Sequence, residues 1–137
     1  MVFIDTNVFV YAHDKTDSLK SEIAQTLVLN HVSRNQAVIS FQVIQEFCNV
    51  MLKESEKKLS IKDAKRIVQE LLLPLVAHSQ SGLSIENTLD LFDKYSLSFY
   101  DAAIVSAALD TGCNIIYSED MQNGADYDGV IVVNPFI

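Results

Sequence analysis

Short apolar runs alternate along this chain with longer stretches in which apolar side chains recur every three or four positions. The first pattern marks buried strands and the second amphipathic helices. Runs at 2–4, 37–39, 75–77, 114–117 and 130–133 predict five short strands. Helical spacing predicts a helix over 18–34, with Ile23, Leu27 and Val28 on one face. A second runs from Ser40, as N-cap, to Glu54, with Val43, Ile44, Phe47, Val50 and Met51 on its apolar side. Ser60 and Asp63 form a capping box that opens a helix to Leu73, which Pro74 ends. Helices over 84–94 and 98–109 come next, the latter stopped by Gly112. Strands alternating with helices imply βαβ units, hence an α/β fold whose parallel sheet carries helices on both faces.

Composition narrows the class. A chain of 137 residues, 49% apolar, suits one domain over 1–137 with a single core. No apolar run reaches the roughly 18 residues a bilayer span requires, so no membrane association is expected. The N-terminus has no basic stretch before its apolar run and no small-residue cleavage site, so the expected location is cytoplasmic. Cys48 and Cys113 are far apart, without histidine or cysteine at ligand spacing, and read as reduced core thiols. His13, His31 and His78 share no spacing and read as structural or surface residues.

The net charge of −8 argues against simple electrostatic binding of nucleic acid. The charge is uneven, however. Lys53, Lys57, Lys58, Lys62, Lys65 and Arg66 gather six of the ten basic groups, whereas from Ile67 onward there are ten acids and one base, Lys94. The basic segment reads either as a set of phosphate contacts or as a solvated helix face.

Against this background a few acids stand apart. Asp5 is the only charged side chain in MVFIDTNVFVYAH, with His13 neutral, and lies just after the first strand. A carboxylate there is costly unless paired, hydrogen-bonded or bound to metal, and the carboxyl ends of parallel strands are where ligands bind. Asp101 is the only charge between Lys94 and Asp110, and Asp120 comes after the fourth strand. Three isolated acids at element ends suggest one acidic, metal-binding pocket. Each also has a plainer reading. Ser98 to Asp101 is a capping box, and an acid in a first helical turn suits the helix dipole. Glu46 sits at the edge of an apolar helix face, where solvated acids are common, but in a turn that can reach the sheet rim. Asp120 shares a turn-rich stretch with Glu119, Asp126 and Asp128.

The segments MVFIDTNVFVYA, SFQVIQEF, SFYDAAIVSAA, YSEDMQNG and VVNPF together resemble the PIN-domain family, and within it the VapC-type toxins of prokaryotic toxin–antitoxin pairs. They lie in the family's order and spacing over nearly the whole chain. The resemblance implies a three-layer α/β/α fold with a five-stranded parallel sheet in the order 3-2-1-4-5. It implies a metal-dependent endoribonuclease whose four acids fall on Asp5, Glu46, Asp101 and Asp120. Thr6, Asn7 and Ser118 match supporting polar positions, and Glu119 is a candidate to share the role of Asp120.

The resemblance also implies a chemistry and a set of partners. Four carboxylates held together require cations or protons between them. One or two Mg²⁺ or Mn²⁺ ions suit all-oxygen ligands. Hydrolysis by water would leave a 5′-phosphate and a 3′-hydroxyl on the RNA. Lys57, Lys58, Lys62 and Lys65 are the candidate phosphate contacts. A homodimer and a small antitoxin are the implied partners. The alternative is a PIN fold that binds RNA or protein without cutting. A phosphatase of another acidic α/β family is disfavoured, because Asp5-Thr6-Asn7 lacks an aspartate two residues after the first.

Overall fold

In the computed structural model, which describes residues 1–53, 58–78 and 82–137, the chain places its first strand at the centre of a sheet. The strands are β1 (Val2–Ile4), β2 (Ala37–Ser40), β3 (Val76–His78), β4 (Ile115–Tyr117), β5 (Asp126–Tyr127) and β6 (Val130–Val133). Their order is β3-β2-β1-β4-β6-β5. All neighbours are parallel except β5, which runs antiparallel to β6. The five parallel strands therefore take the expected order, and a two-residue sixth strand extends one edge. Gly129, with φ of 99°, and Asp128, with φ of 55°, form the turn between β5 and β6, and two successive positive φ values are what a tight right-twisted hairpin demands.

The helices are α1 (Thr6–His13), α2 (Ser18–Ser33), α3 (Phe41–Met51), α4 (Ile61–Ile67), α5 (Gly82–Tyr95) and α6 (Phe99–Asp110). α1 packs against α2 and α3, and α5 against α6, which also reaches β2, β4 and β6. Sequence periodicity did not predict α1. Asp5 caps it by accepting the Thr6 N–H at 2.7 Å, and Val8, Phe9 and Ala12 bury one face. The helix expected to run to Leu73 is instead α only to Ile67, then widens into a π turn over Val68–Leu72 and tightens into a 3₁₀ turn over Leu73–Leu75. Pro74 has no N–H for the carbonyl one turn back and its ring crowds that carbonyl, so a regular helix cannot continue through it.

The core is continuous across the sheet. Phe3, Ile4, Phe9, Ile39, Phe47 and Ile116 are fully buried. Register then fixes the site. Val2 opposes both Ala37 and Ile115, and Ile4 opposes Tyr117. The next residues, Asp5 and Ser118, leave the sheet side by side, at the point where the chain has crossed to β2 on one side and β4 on the other. Such a switch point opens a crevice at the carboxyl ends of the strands.

Candidate active site

Asp5 ends β1 and begins α1, and it is only 6% exposed. One carboxylate oxygen takes the Thr6 N–H, and the other accepts the Ser118 hydroxyl at 2.7 Å and the Asn7 amide at 3.3 Å. Burial pushes its pKa up from 3.8 to about 6. The Ser118 and Thr6 hydrogen bonds oppose that rise, and the nearby charges of Glu46 and Asp120 add to it.

The two residues after Asp5 tie it to the other acids. Thr6 Oγ1 donates to Glu46 Oε2 at 2.8 Å, and Asn7 Nδ2 reaches Asp120 Oδ2 at 3.2 Å. Ser118, wholly buried, also accepts the Asp120 N–H at 3.2 Å and the Met121 N–H at 3.4 Å, which folds the turn after β4 back over the rim. Glu46 lies in the second turn of α3. Its other oxygen accepts the Gln42 amide at 2.7 Å, and the same amide stands 3.5 Å from the Tyr100 carbonyl on α6. Gln42 thereby links the helix bearing Glu46 to the helix bearing Asp101.

Asp101 sits half-buried in the first turn of α6. Ser98 caps that turn, accepting the Asp101 N–H at 3.2 Å. The carboxyl pKa is nonetheless raised, first by burial and further by Asp120 and Glu46, with the Ser98 hydrogen bond acting against the rise. The capping role and proximity to the other acids hold together. Glu119 goes elsewhere: it pairs with Lys20. Burial alone would raise its pKa, but the hydrogen bonds from Lys20 and Tyr11 hold it below the ordinary carboxylate value.

Beside the acids opens a cleft of about 390 Å³, whose walls include Asn7, Tyr11, Glu46, Asn49, Lys58 and Asp120. Of the candidate phosphate contacts, Lys58 lines this cleft and pairs with Asp14 at 2.6 Å. Lys62 and Lys65 are exposed on α4 and do not line it. Lys57 lies outside the described residues. The Asp14 pKa is pulled down to about 2, chiefly by the Lys58 hydrogen bond.

Asp5, Glu46, Asp101 and Asp120 offer only oxygen donors. Among the described residues, no lysine or arginine donates to any of them. That donor set fits a hard divalent cation. Among the described residues, however, no three His, Cys, Asp or Glu side chains form a ready-made metal cage. The sequence reading missed Gln42, although its place four residues before Glu46 on one helix face was the available signal. It also missed Lys20 and Tyr11, for which periodicity carries no signal.

A switch-point crevice rimmed by acids marks an α/β fold with its ligand-binding site at the carboxyl ends of the strands. A family model described as PIN domain matches residues 2–123, and the chain belongs to that family. Metal-dependent nuclease activity is general in the family. Comparison with curated proteins gave no match. Among solved structures the chain is similar to the crystal structure of FitAcB from Neisseria gonorrhoeae, with a TM-score of 0.62, 16% identity and 99% of each chain covered. That likeness is one of fold.

Proposed function

We propose that this chain, one PIN domain over residues 1–137, is a Mg²⁺- or Mn²⁺-dependent endoribonuclease acting in the cytoplasm as the VapC-type toxin of a toxin–antitoxin pair. The observation that carries the reading is the hydrogen-bonded and electrostatic coupling of Asp5, Glu46, Asp101 and Asp120, with no Lys or Arg among their partners in the described residues. Asp5, Asp101 and Asp120 hold the primary ion, and Glu46 holds a second ion or orients the attacking water. Bound divalent ions supply charge neutralisation at the scissile phosphate and activation of the water. Thr6, Asn7 and Ser118 fix the carboxylate orientations, as their hydrogen bonds indicate. Lys58 is placed to meet an RNA phosphate, by exchange with Asp14.

Two partners belong to this reading. A second copy of the chain suits α5, where Ile85, Leu89 and Phe92, spaced four and three apart, are 44%, 51% and 45% exposed. An antitoxin segment carrying Arg suits the acids, since a guanidinium pairs with carboxylates in two-pronged fashion. It would compete with metal there and wrap apolar surface beside the cleft. No described helix is long and apolar enough to cross a membrane.

The test is RNA cleavage by wild type and Asp101→Asn with Mg²⁺, with Mn²⁺ and with chelator. Metal-dependent cutting that leaves a 5′-phosphate, and is lost in Asp101→Asn, is expected. A wild type that binds RNA but cuts nothing with either metal would favour the non-cleaving scaffold. Co-purification with a small protein encoded next to this chain, followed by metal titration, tests the antitoxin. A chain with no such neighbour that stays monomeric would end the toxin reading.

A further inference from the structure

Lys20 lies in the first turn of α2, a helix that contributes none of the four acids, yet its ammonium pairs with Glu119, the residue just before Asp120. The same Nζ donates to the Tyr11 hydroxyl at 3.3 Å. It stands 4.8 Å above the Tyr11 ring and 5.6 Å from the Phe136 ring centre. Those two rings meet edge to face at 5.0 Å. One cation thus gathers α1, the turn after β4 and the C-terminal segment. Rings below an ammonium favour it electrostatically, and they seat the pair at a defined place although both side chains stay partly exposed.

The turn is also held from inside. The Glu119 N–H donates to Asn7 Oδ1 at 3.1 Å and the Asp120 N–H to Ser118 Oγ at 3.2 Å. Glu119 and Asp120 are consecutive, so the direction taken by the first side chain constrains the peptide that carries the second.

We propose that Lys20 is a positioning residue of the acidic site: by drawing Glu119 outward it sets the turn that carries Asp120, and through it the affinity of the site for a divalent cation. The inference rests on the nuclease reading for what the site binds, and on the ion pair and ring contacts for how the turn is held. A lysine that met RNA directly would behave differently, weakening substrate binding and its salt dependence while leaving metal affinity alone.

The experiment compares full-length wild type with Lys20→Met, Lys20→Arg, Glu119→Gln and the Lys20→Met/Glu119→Gln pair. Two readouts need no RNA: amide hydrogen exchange at Glu119 and Asp120 in metal-free buffer, and Mn²⁺ binding by calorimetry. Lys20→Met is expected to speed exchange at both amides and to weaken Mn²⁺ binding about tenfold, the range for residues that orient metal ligands. Lys20→Arg restores both. Glu119→Gln reproduces the loss, and the double variant is no worse than either single one, because the two residues act as one unit. Unchanged exchange and unchanged Mn²⁺ affinity in Lys20→Met and Glu119→Gln would overturn the proposal. So would a Lys20→Met defect confined to RNA affinity and its salt slope. A wild type that binds no Mn²⁺ would remove the metal-site reading, and the exchange comparison alone then decides whether Lys20 holds the turn.

Discussion

Replacing Asp5 by Asn should stabilise the metal-free protein at neutral pH. The Asp5 carboxyl is buried, and its pKa is lifted from 3.8 to about 6. The folded state therefore holds a proton more tightly than the unfolded state. The stability this contributes is fully present below about pH 4 and is lost as pH rises through about 6. At about 1.4 kcal/mol per tenfold in proton affinity, the loss is about 3 kcal/mol by pH 7.5. Asn carries no charge to desolvate and caps a helix as well as Asp does. It has one acceptor oxygen where Asp5 accepts from Thr6, Ser118 and Asn7. With that oxygen kept on Thr6, the bonds from Ser118 and Asn7 are forfeited, and as the Asn7 contact is long at 3.3 Å the two together cost about 1 kcal/mol. A net gain of about 2 kcal/mol remains, or roughly 8 °C in melting temperature for a chain of this size. Melts in chelator at pH 7.5 and pH 4.5 should show the gain at the first and little at the second. Mn²⁺ at about 100 times its Kd should raise the wild type alone by about 2.7 kcal/mol and close the gap. An Asp5→Asn protein that melts no higher than wild type at pH 7.5, or gains equally at both pH values, would refute the reasoning.

Lys58→Gln should weaken RNA binding and flatten its salt dependence, while Lys62→Gln and Lys65→Gln, outside the cleft, change both little; equal effects from all three would return the segment to a diffuse basic face. The same Lys58→Gln change should cost stability at pH 7 but little near pH 2, because the Lys58 hydrogen bond is the largest cause of the low Asp14 pKa, with the Thr16 hydrogen bonds lowering it further. Gln42→Leu removes the amide that Glu46 accepts at 2.7 Å, and should lower kcat by roughly tenfold with a small change in melting temperature; unchanged kcat would show that Glu46 needs no such support.

The parallel strands were legible because each is a short apolar run, and their order came with the resemblance carried by the segments around Asp5, Glu46, Asp101 and Asp120 and by the closing VVNPF. α1 was not legible. Asn7-Val8-Phe9-Val10-Tyr11 is rich in the β-branched and aromatic residues that favour strands, and tertiary burial of Val8, Phe9 and Ala12 overrides that preference. β5 has only the turn dipeptide Asp128-Gly129 as its signal in the sequence, because two residues are too few to show alternation. Ser40 holds its expected N-cap position, but its hydroxyl makes no cap bond and has no partner among the described residues. For Glu119 the sequence offered only adjacency to Asp120. The ion pair that turns it away comes from Lys20, 99 positions earlier, and no local pattern contains it.

The short β5 strand has a consequence for how this protein survives in a crowded solution. Val130–Val133 is an uninterrupted β-branched strand, and bare edges of that kind template the pairing of one chain with the next. The antiparallel pairing of Asp126 with Ile131 and Tyr127 with Val130 occupies part of that edge with the chain's own backbone. Lys94 and Tyr95 on α5 hold the hairpin tip through the Asp128 carboxylate. Gly129, at φ of 99°, is the residue on which this cover depends, because a β-branched side chain is strained in that conformation. The hairpin thus acts as a guard against self-association along the sheet.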